Sequence, residues 1–270
     1  MILKLLSILL LSLYNFHQIG INKKNINEII NYTNNNNYLA GLKKVVYTAM
    51  LGKYDKVRSI VKEKGYDYFI LTDQTQIENN SGWTILNVEK HIKNLNMNIF
   101  KKQRFFKTHP HLFFKDYDLS IYLDSTFEIK GQLDEFLLRI LTPKLSIYVL
   151  EHPDRNTIFK EMDVVMALHK DSNETIFSVK KKYNDVNFPD ISGLAECCLI
   201  IRKHNDLFCK NFMNNWFYEI QYNSHRDQLS FNYILWKFGN KGIKYISKKI
   251  IENYFIHHLF HFKNIVFKNN

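Results

Sequence analysis

The sequence predicts an α/β protein with a mostly parallel central sheet flanked by helices. Two observations carry this. Short β-rich apolar runs alternate with helical patterns through the first half of the chain, the order that yields parallel strands joined by crossover helices. Hydrophobic residues make up 46% of 270 residues, with 21 Phe and 16 Tyr, enough to bury one sizeable core. Only 9 Gly and 4 Pro argue against a loop-dominated chain.

The elements follow in order. Lys44 to Met50 is β-rich and reads as the first strand, with Gly52 to Asp55 as the loop after it. Val57 to Lys64 reads as a short helix. Tyr66 to Leu71 is a second apolar run, ended by Thr72 and Asp73, and Trp83 to Val88 is a third. Ile99 to Phe114 has helical spacing, with a break allowed at Pro110. Leu119 to Leu123 is the next strand, and Asp124 follows it directly. Gln132 to Leu141 reads as helix and Leu145 to Leu150 as strand, followed by His152 and Pro153. Asn156 to His169 and Ser172 to Tyr183 read as helices, and Cys197 to Ile201 as a strand. Phe208, Phe212, Trp216 and Ile220 recur at helical spacing. Ser224 with Asp227 three later reads as a capping box opening a last helix, whose buried face is Phe231, Ile234, Leu235 and Phe238.

The ends of the chain are organised differently. Ile2 to Phe16 is apolar apart from Lys4, two Ser and Asn15, shorter than the roughly 20 residues that span a bilayer. It reads as a signal or anchor over 1–16, without a clear small-residue cleavage site. This gives an expectation of membrane association or the secretory pathway. Lys23 and Lys24 follow the stretch and only Lys4 precedes it; that bias opposes a lumenal body and leaves a cytoplasmic one open. The sequons at Asn31, Asn79 and Asn173 bear on a lumenal body alone. Residues 17–42 are polar and Asn-rich and read as a linker. The folded domain is placed at 43–262, with a tail over 263–270.

The formal net charge is +11. The Lys residues are spread along the chain, and neither zinc-finger spacing nor an aromatic–basic motif is present, so no nucleic-acid partner is expected. The three cysteines, two of them adjacent at Cys197 and Cys198, do not form a disulfide framework. Alternation over Glu196 to Arg202 places Cys197 and Cys198 in or beside a strand, as small core residues. In parallel sheets ligands bind outside the carboxyl ends of the strands. Gly52, Tyr54, Asp55, Asp73 and Asp124 all fall at such ends, so the polar groups converge on one edge.

Several blocks in this order carry a family resemblance: Tyr47-Thr-Ala-Met-Leu-Gly-Lys-Tyr54-Asp55, Asp67-Tyr-Phe-Ile-Leu-Thr-Asp73, Arg104-Phe-Phe-Lys107-Thr-His109-Pro-His111 and Tyr117-Asp-Leu-Ser-Ile-Tyr-Leu-Asp124. Further along come His152-Pro-Asp-Arg155, Gly193-Leu-Ala-Glu196, Ile201-Arg202-Lys-His204-Asn205 and Ser224-His-Arg226-Asp227-Gln228. Over Val45 to Lys237 the chain resembles the TOD/MUCI-type glycosyltransferase-like domain family, once catalogued as a domain of unknown function. The resemblance implies a GT-A-like, Rossmann-type fold. It also implies transfer of a sugar, hexosyl or pentosyl, from a nucleoside-diphosphate donor to a glycan or glycoconjugate acceptor. A non-catalytic nucleotide-sugar or glycan binder of the same fold is the alternative.

On that resemblance, Gly52, Tyr54, Asp55, Asp73, Arg104, Lys107 and Asp124 are the donor-binding candidates. Gly lets backbone approach a ligand and Tyr can stack on a base. Arg104 and Lys107 lie three apart, on one helical face, and make charge-assisted bonds to phosphate. GT-A proteins usually place Asp-x-Asp at the strand end to hold Mn²⁺ or Mg²⁺; here the sequence reads Asp124-Ser125-Thr126, and the second carboxylate is missing. Metal dependence is therefore open, with Asp124, His258 and His261 as the candidate ligands. Asp227 and Glu196 are the candidate catalytic carboxylates. His152, Arg155 and Arg226 are placed on the acceptor side. Each has a plainer structural reading: a turn at Gly52 or Asp124, a cap at Asp73 or Asp227, a basic surface helix at Arg104 and Lys107, packing at His152.

Overall fold

The computed structural model describes residues 38–52, 58–75, 81–93, 95–191 and 193–258. Tyr54, Asp55, Asn79, His261 and the apolar stretch 2–16 lie outside the described residues. Among the described residues no helix is long and apolar enough to cross a membrane. Met1–Leu42 and Lys43–Asn270 separate as two units; the second carries the fold described below.

The central sheet has seven strands: β1 (Lys44–Met50), β2 (Tyr66–Thr72), β3 (Thr84–Asn87), β4 (Leu119–Leu123), β6 (Ile147–Glu151), β7 (Ala195–Arg202) and β8 (Ile243–Ile246). Their order is β3-β2-β1-β4-β7-β6-β8. Strands β1 to β4 pair in parallel, as do β6 and β8; β7 alone is antiparallel to both neighbours. A small antiparallel ribbon joins β5 (Phe127–Ile129) to β9 (Phe255–His257). This is the mostly parallel central sheet flanked by helices that the sequence predicts.

Position in the sheet explains strand composition. All residues of β1 and β4 are buried, while edge strand β3 is half exposed; central parallel strands are covered on both faces and so read as unbroken apolar runs. Each fully buried Val, Leu or Ile contributes roughly 1.5–3 kcal/mol.

The helices are α1 (Glu89–Lys93), α2 (Ile99–Thr108), α3 (Pro110–Phe113), α4 (Leu133–Ile140), α5 (Ile158–Ala167), α6 (Asn173–Asp185), α7 (Leu207–Tyr222), α8 (Gln228–Lys237) and α9 (Lys248–Ile251). Helix α2 packs on β1 and α7, and α8 packs on β7, α5 and α7. The break between α2 and α3 falls at His109, because Pro110 lacks the amide that would continue α2.

Three expectations are corrected. Residues 58–63 are not helical. Ile60 donates its amide to Ser81 O at 2.8 Å, Arg58 O accepts Trp83 Nε1 at 2.9 Å and Glu63 donates its amide to Tyr68 OH at 3.1 Å, so these backbone groups find partners outside a helical turn. Ser224 does not cap α8. Its hydroxyl donates to Asp171 at 2.6 Å, and Asp227 is the N-cap, accepting from the Gln228 amide at 3.1 Å. Finally, β5, β8 and β9 are short strands that the periodicity did not announce, since runs of three or four residues barely complete one alternation.

Gly82 makes the turn before β3 with φ +80°, and a Cβ there would lie 2.7 Å from Ile60 O. Gly82→Ala should therefore lower stability by about 1–3 kcal/mol, read as a lower urea midpoint. An unchanged midpoint would show that the turn relaxes freely.

Candidate functional site

The carboxyl ends of β1, β2, β4, β6 and β8 share one edge with the amino end of antiparallel β7. Gly52, Asp73, Asp124, His152 and Glu196 are therefore brought to that edge from stretches far apart in sequence. Gly52 adopts φ +60°, a conformation that favours glycine, and its amide donates to both Asp73 oxygens at 3.0 Å. The Asp73 carboxylate thus ties the ends of β1 and β2 together.

Beneath the edge lies a compact charge cluster. Lys107 Nζ stands 2.6 Å from Asp227 Oδ2 and 3.5 Å from Asp124 Oδ1, and Arg104 Nε is 3.2 Å from Asp227 Oδ2. Two cations thus face two carboxylates. The Lys107 side chain is 1% exposed and that of Asp227 5%. Burial alone would raise the Asp227 pKa; Arg104 and Lys107 outweigh it and hold the carboxyl well below its ordinary range. For Arg104 burial works downward, and Asp227 with Asp124 turns the net shift upward. Lys107 also lies over the Tyr122 ring, 4.9 Å from its centroid.

A buried hydrogen-bond frame holds the cluster. Tyr122 OH donates to Asp124 Oδ1 at 2.6 Å and accepts from Gln103 at 2.8 Å. Tyr47 OH and Arg202 Nη1 both donate to Lys107 O, each at 2.8 Å, and Arg202 also bonds Tyr47. These bonds fix the carboxyl-terminal turn of α2 and with it the direction of Lys107: inward, toward Asp227. Arg104 remains at the cluster's rim, its side chain 15% exposed.

Asp124 also lines a cleft with Thr48, Met50, Arg58, Trp83, Leu123, Ser125 and Phe127. Thr48 is 4% exposed and its hydroxyl has no hydrogen-bond partner among the described residues. Trp83 is held by its bond to Arg58 O, and Arg58 Nε donates to Ser125 O at 3.2 Å. Sequence reasoning missed Thr48, Arg58 and Trp83 as cleft residues. No local signal marks them, because Arg58 and Trp83 stand 25 positions apart and meet Thr48 only in the fold.

Among the described residues, Glu196, Cys198 and His257 bring ligand atoms within 4.8 Å of one another. Burial raises the Glu196 pKa and lowers that of His257. His258, by contrast, turns to Glu128, 2.8 Å from Nε2 to Oε2, while its amide donates to Thr126 O. Alternation along β9 puts neighbouring side chains on opposite faces, and it is His257 that meets Glu196.

Of the residues expected on the acceptor side, His152 accepts at Nδ1 from the amides of Asp154 and Arg155 at 3.1 and 3.2 Å. Arg155 pairs with Glu161, whose side chain is 3% exposed. Burial, and then Arg155, lower the His152 pKa. Arg226 donates its amide to Ser224 Oγ, and its buried Nε has no hydrogen-bond partner among the described residues.

The residues around Asp124 do not offer an all-oxygen Mn²⁺ or Mg²⁺ cage. Oδ1 is held by Tyr122 and faced by Lys107. Ser125 O and Thr126 O accept Arg58 Nε and the His258 amide. The position of the second Asp in an Asp-x-Asp pattern is Thr126, and the next carboxylate, Glu128, is held by His258. Hard divalent ions want several oxygen ligands at once.

The TOD1/MUCI70 glycosyltransferase-like domain matches residues 30–261. The chain belongs to this family. Its fold is similar to that of the WbbM bifunctional glycosyltransferase in the apo form, with TM-score 0.49 and 12% identity over 76% of this chain and 39% of that one. It is also similar to apo mouse xyloside xylosyltransferase 1, with TM-score 0.44 and 8% identity over 75% of this chain and 85% of that one. The chain thus spans well under half of the WbbM protein. No curated protein sequence matches it. As a family member, this chain carries a glycosyltransferase-like domain.

Proposed function

We propose that this family member transfers a sugar from a nucleoside-diphosphate donor to a glycan or glycoconjugate acceptor. The observation that carries the reading is the cleft at the strand ends, where a half-buried carboxylate, an indole and an arginine converge above a neutralised charge cluster. Trp83 offers a face for the base. Asp124, its side chain 29% exposed, accepts hydrogen bonds from donor hydroxyls. Arg58 and Arg104 supply positive charge for the departing diphosphate. Lys107, turned inward, acts by holding Asp124 and Asp227 in place. Asp227 is buried and strongly acidic, which makes it a poor proton acceptor and a good anchor.

The test offers the full chain a panel of UDP- and GDP-sugars with a mixed glycan acceptor and follows nucleotide release. One donor should turn over, and Asp124→Ala should slow it by about 10²–10³-fold. Donor binding by calorimetry without turnover would favour the non-catalytic binder, a reading favoured by the absence of a second carboxylate. No binding of any donor would sink both. The membrane association and the secretory localisation expected from residues 2–16 remain part of this proposal. Carbonate extraction of the full chain from membranes should leave it in the pellet; release into the supernatant would remove the anchor.

A further inference from the structure

We propose that Glu196, Cys198 and His257 form a soft-ligand metal centre of the Zn²⁺ type beside the donor cleft, in place of an Asp-x-Asp oxygen site. The proposal rests on the glycosyl-transfer reading only for what the ion is used for; the binding itself is independent of it.

Geometry leads to the site. The pairing of β7 with β6 slips between Val149, opposite Ile200, and Leu150, opposite Glu196. Residues 197–199 are thereby left out of that ladder. Bulges of this kind re-aim side chains and recur next to active sites. Here the two thiols part. Cys197 belongs to the hydrophobic core, whereas Cys198 turns to Glu196 and His257. The carbonyl of Cys198 accepts the Asp124 amide at 2.8 Å, which places the cluster directly against the end of β4. The third group arrives from the carboxyl-terminal ribbon. His257 pairs with Phe127 across β5 and β9, and its ring stacks on Phe127 with centroids 4.3 Å apart, a contact that orients the imidazole.

Chemistry then selects the ion. One thiol, one imidazole and one carboxylate form a mixed S, N and O donor set, which suits Zn²⁺ and disfavours Mg²⁺. Bond lengths of about 2.0–2.3 Å put tetrahedral ligand atoms roughly 3.3–3.8 Å apart. The observed limit of 4.8 Å closes to that by small side-chain rotations. Three protein ligands leave the fourth position open, the pattern of sites where the ion meets a small molecule. Binding exchanges the Cys198 S–H proton for a Zn–S bond, and the proton leaves to solvent. A graded burial fits this use: Cys198 is buried, Glu196 is intermediate and His257 is exposed toward the open side.

The test titrates metal-stripped full chain with Co²⁺ under reducing conditions, without donor. A thiolate-to-cobalt charge-transfer band should appear with the visible bands of a tetrahedral ion, saturate at one ion per chain, and vanish on adding Zn²⁺. Cys198→Ser should abolish the charge-transfer band. His257→Gln, at an exposed side chain where folding is not at stake, should weaken Zn²⁺ binding at least about 10-fold. Absence of the thiolate band, its survival in Cys198→Ser, or unchanged Zn²⁺ affinity in His257→Gln would each overturn the proposal. Because no donor is present, a chain that binds the ion yet fails to transfer sugar would refute the function while leaving the metal centre standing.

Discussion

Asp227→Ala should destabilise the protein by about 3–5 kcal/mol, the cost of removing one partner from a buried ion pair. The loss leaves Lys107, 1% exposed, and Arg104, 15% exposed, facing Asp124 alone. Lys107 cannot turn to water without repacking α2 against β1 and α7. Urea unfolding followed by far-ultraviolet circular dichroism reads the effect directly. The acid limb carries a second signature. The folded-state pKa of Asp227 is depressed, so the unfolded chain binds its proton first as pH falls. The stabilisation is therefore fully present above the unfolded value of about 3.9 and is lost as pH falls through the folded one. Asp227→Asn should flatten the pH dependence of stability below about pH 4. A limb identical to that of the parent protein would mean that Asp227 is not the group the two cations hold ionised.

Trp216→Ala should cost a further about 3–5 kcal/mol, and its cause reaches the same cluster from below. Trp216 on α7 is fully buried and packs edge-on against Phe231 of α8, centroids 5.0 Å apart. Its Nε1 donates to Asp227 O at 3.1 Å. The ring thus supplies core volume and pins the backbone at the amino end of α8, where the Asp227 side chain meets Lys107. Trp216→Phe separates the two contributions. It keeps much of the volume while losing the bond and part of the ring, so the expected loss is smaller, about 1–2 kcal/mol. Equal losses for Ala and Phe would show that the hydrogen bond, rather than the volume, dominates.

Much of the fold was legible in the chain. Runs such as Leu119 to Leu123 and Lys44 to Met50 read as strands because buried parallel strands are apolar on both faces, and they are strands. Pro110 was rightly placed at a helix break, because the missing amide acts locally. Residues 58–63 misled because the backbone partners of Ile60 and Arg58 are Ser81 and Trp83, some twenty positions away, where no local propensity reaches.

The candidate site divides along the same line. By itself the sequence determined that carboxylates and a glycine follow strands: Gly52, Asp73 and Asp124 stand at strand ends by position alone. The α2 spacing likewise put Arg104 and Lys107 on one face. Only the tertiary structure decided which way those charges point and what they meet. Lys107 turns inward because Tyr47 and Arg202, 60 and 95 positions away, hold its carbonyl. His257 rather than His258 joins Glu196 and Cys198 because the β5–β9 register selects one face of a three-residue strand. The physical reason is common to both. Strand and helix periodicities are short-range properties, whereas pairings between distant segments depend on sheet order, register and bulges, which the whole core must settle at once.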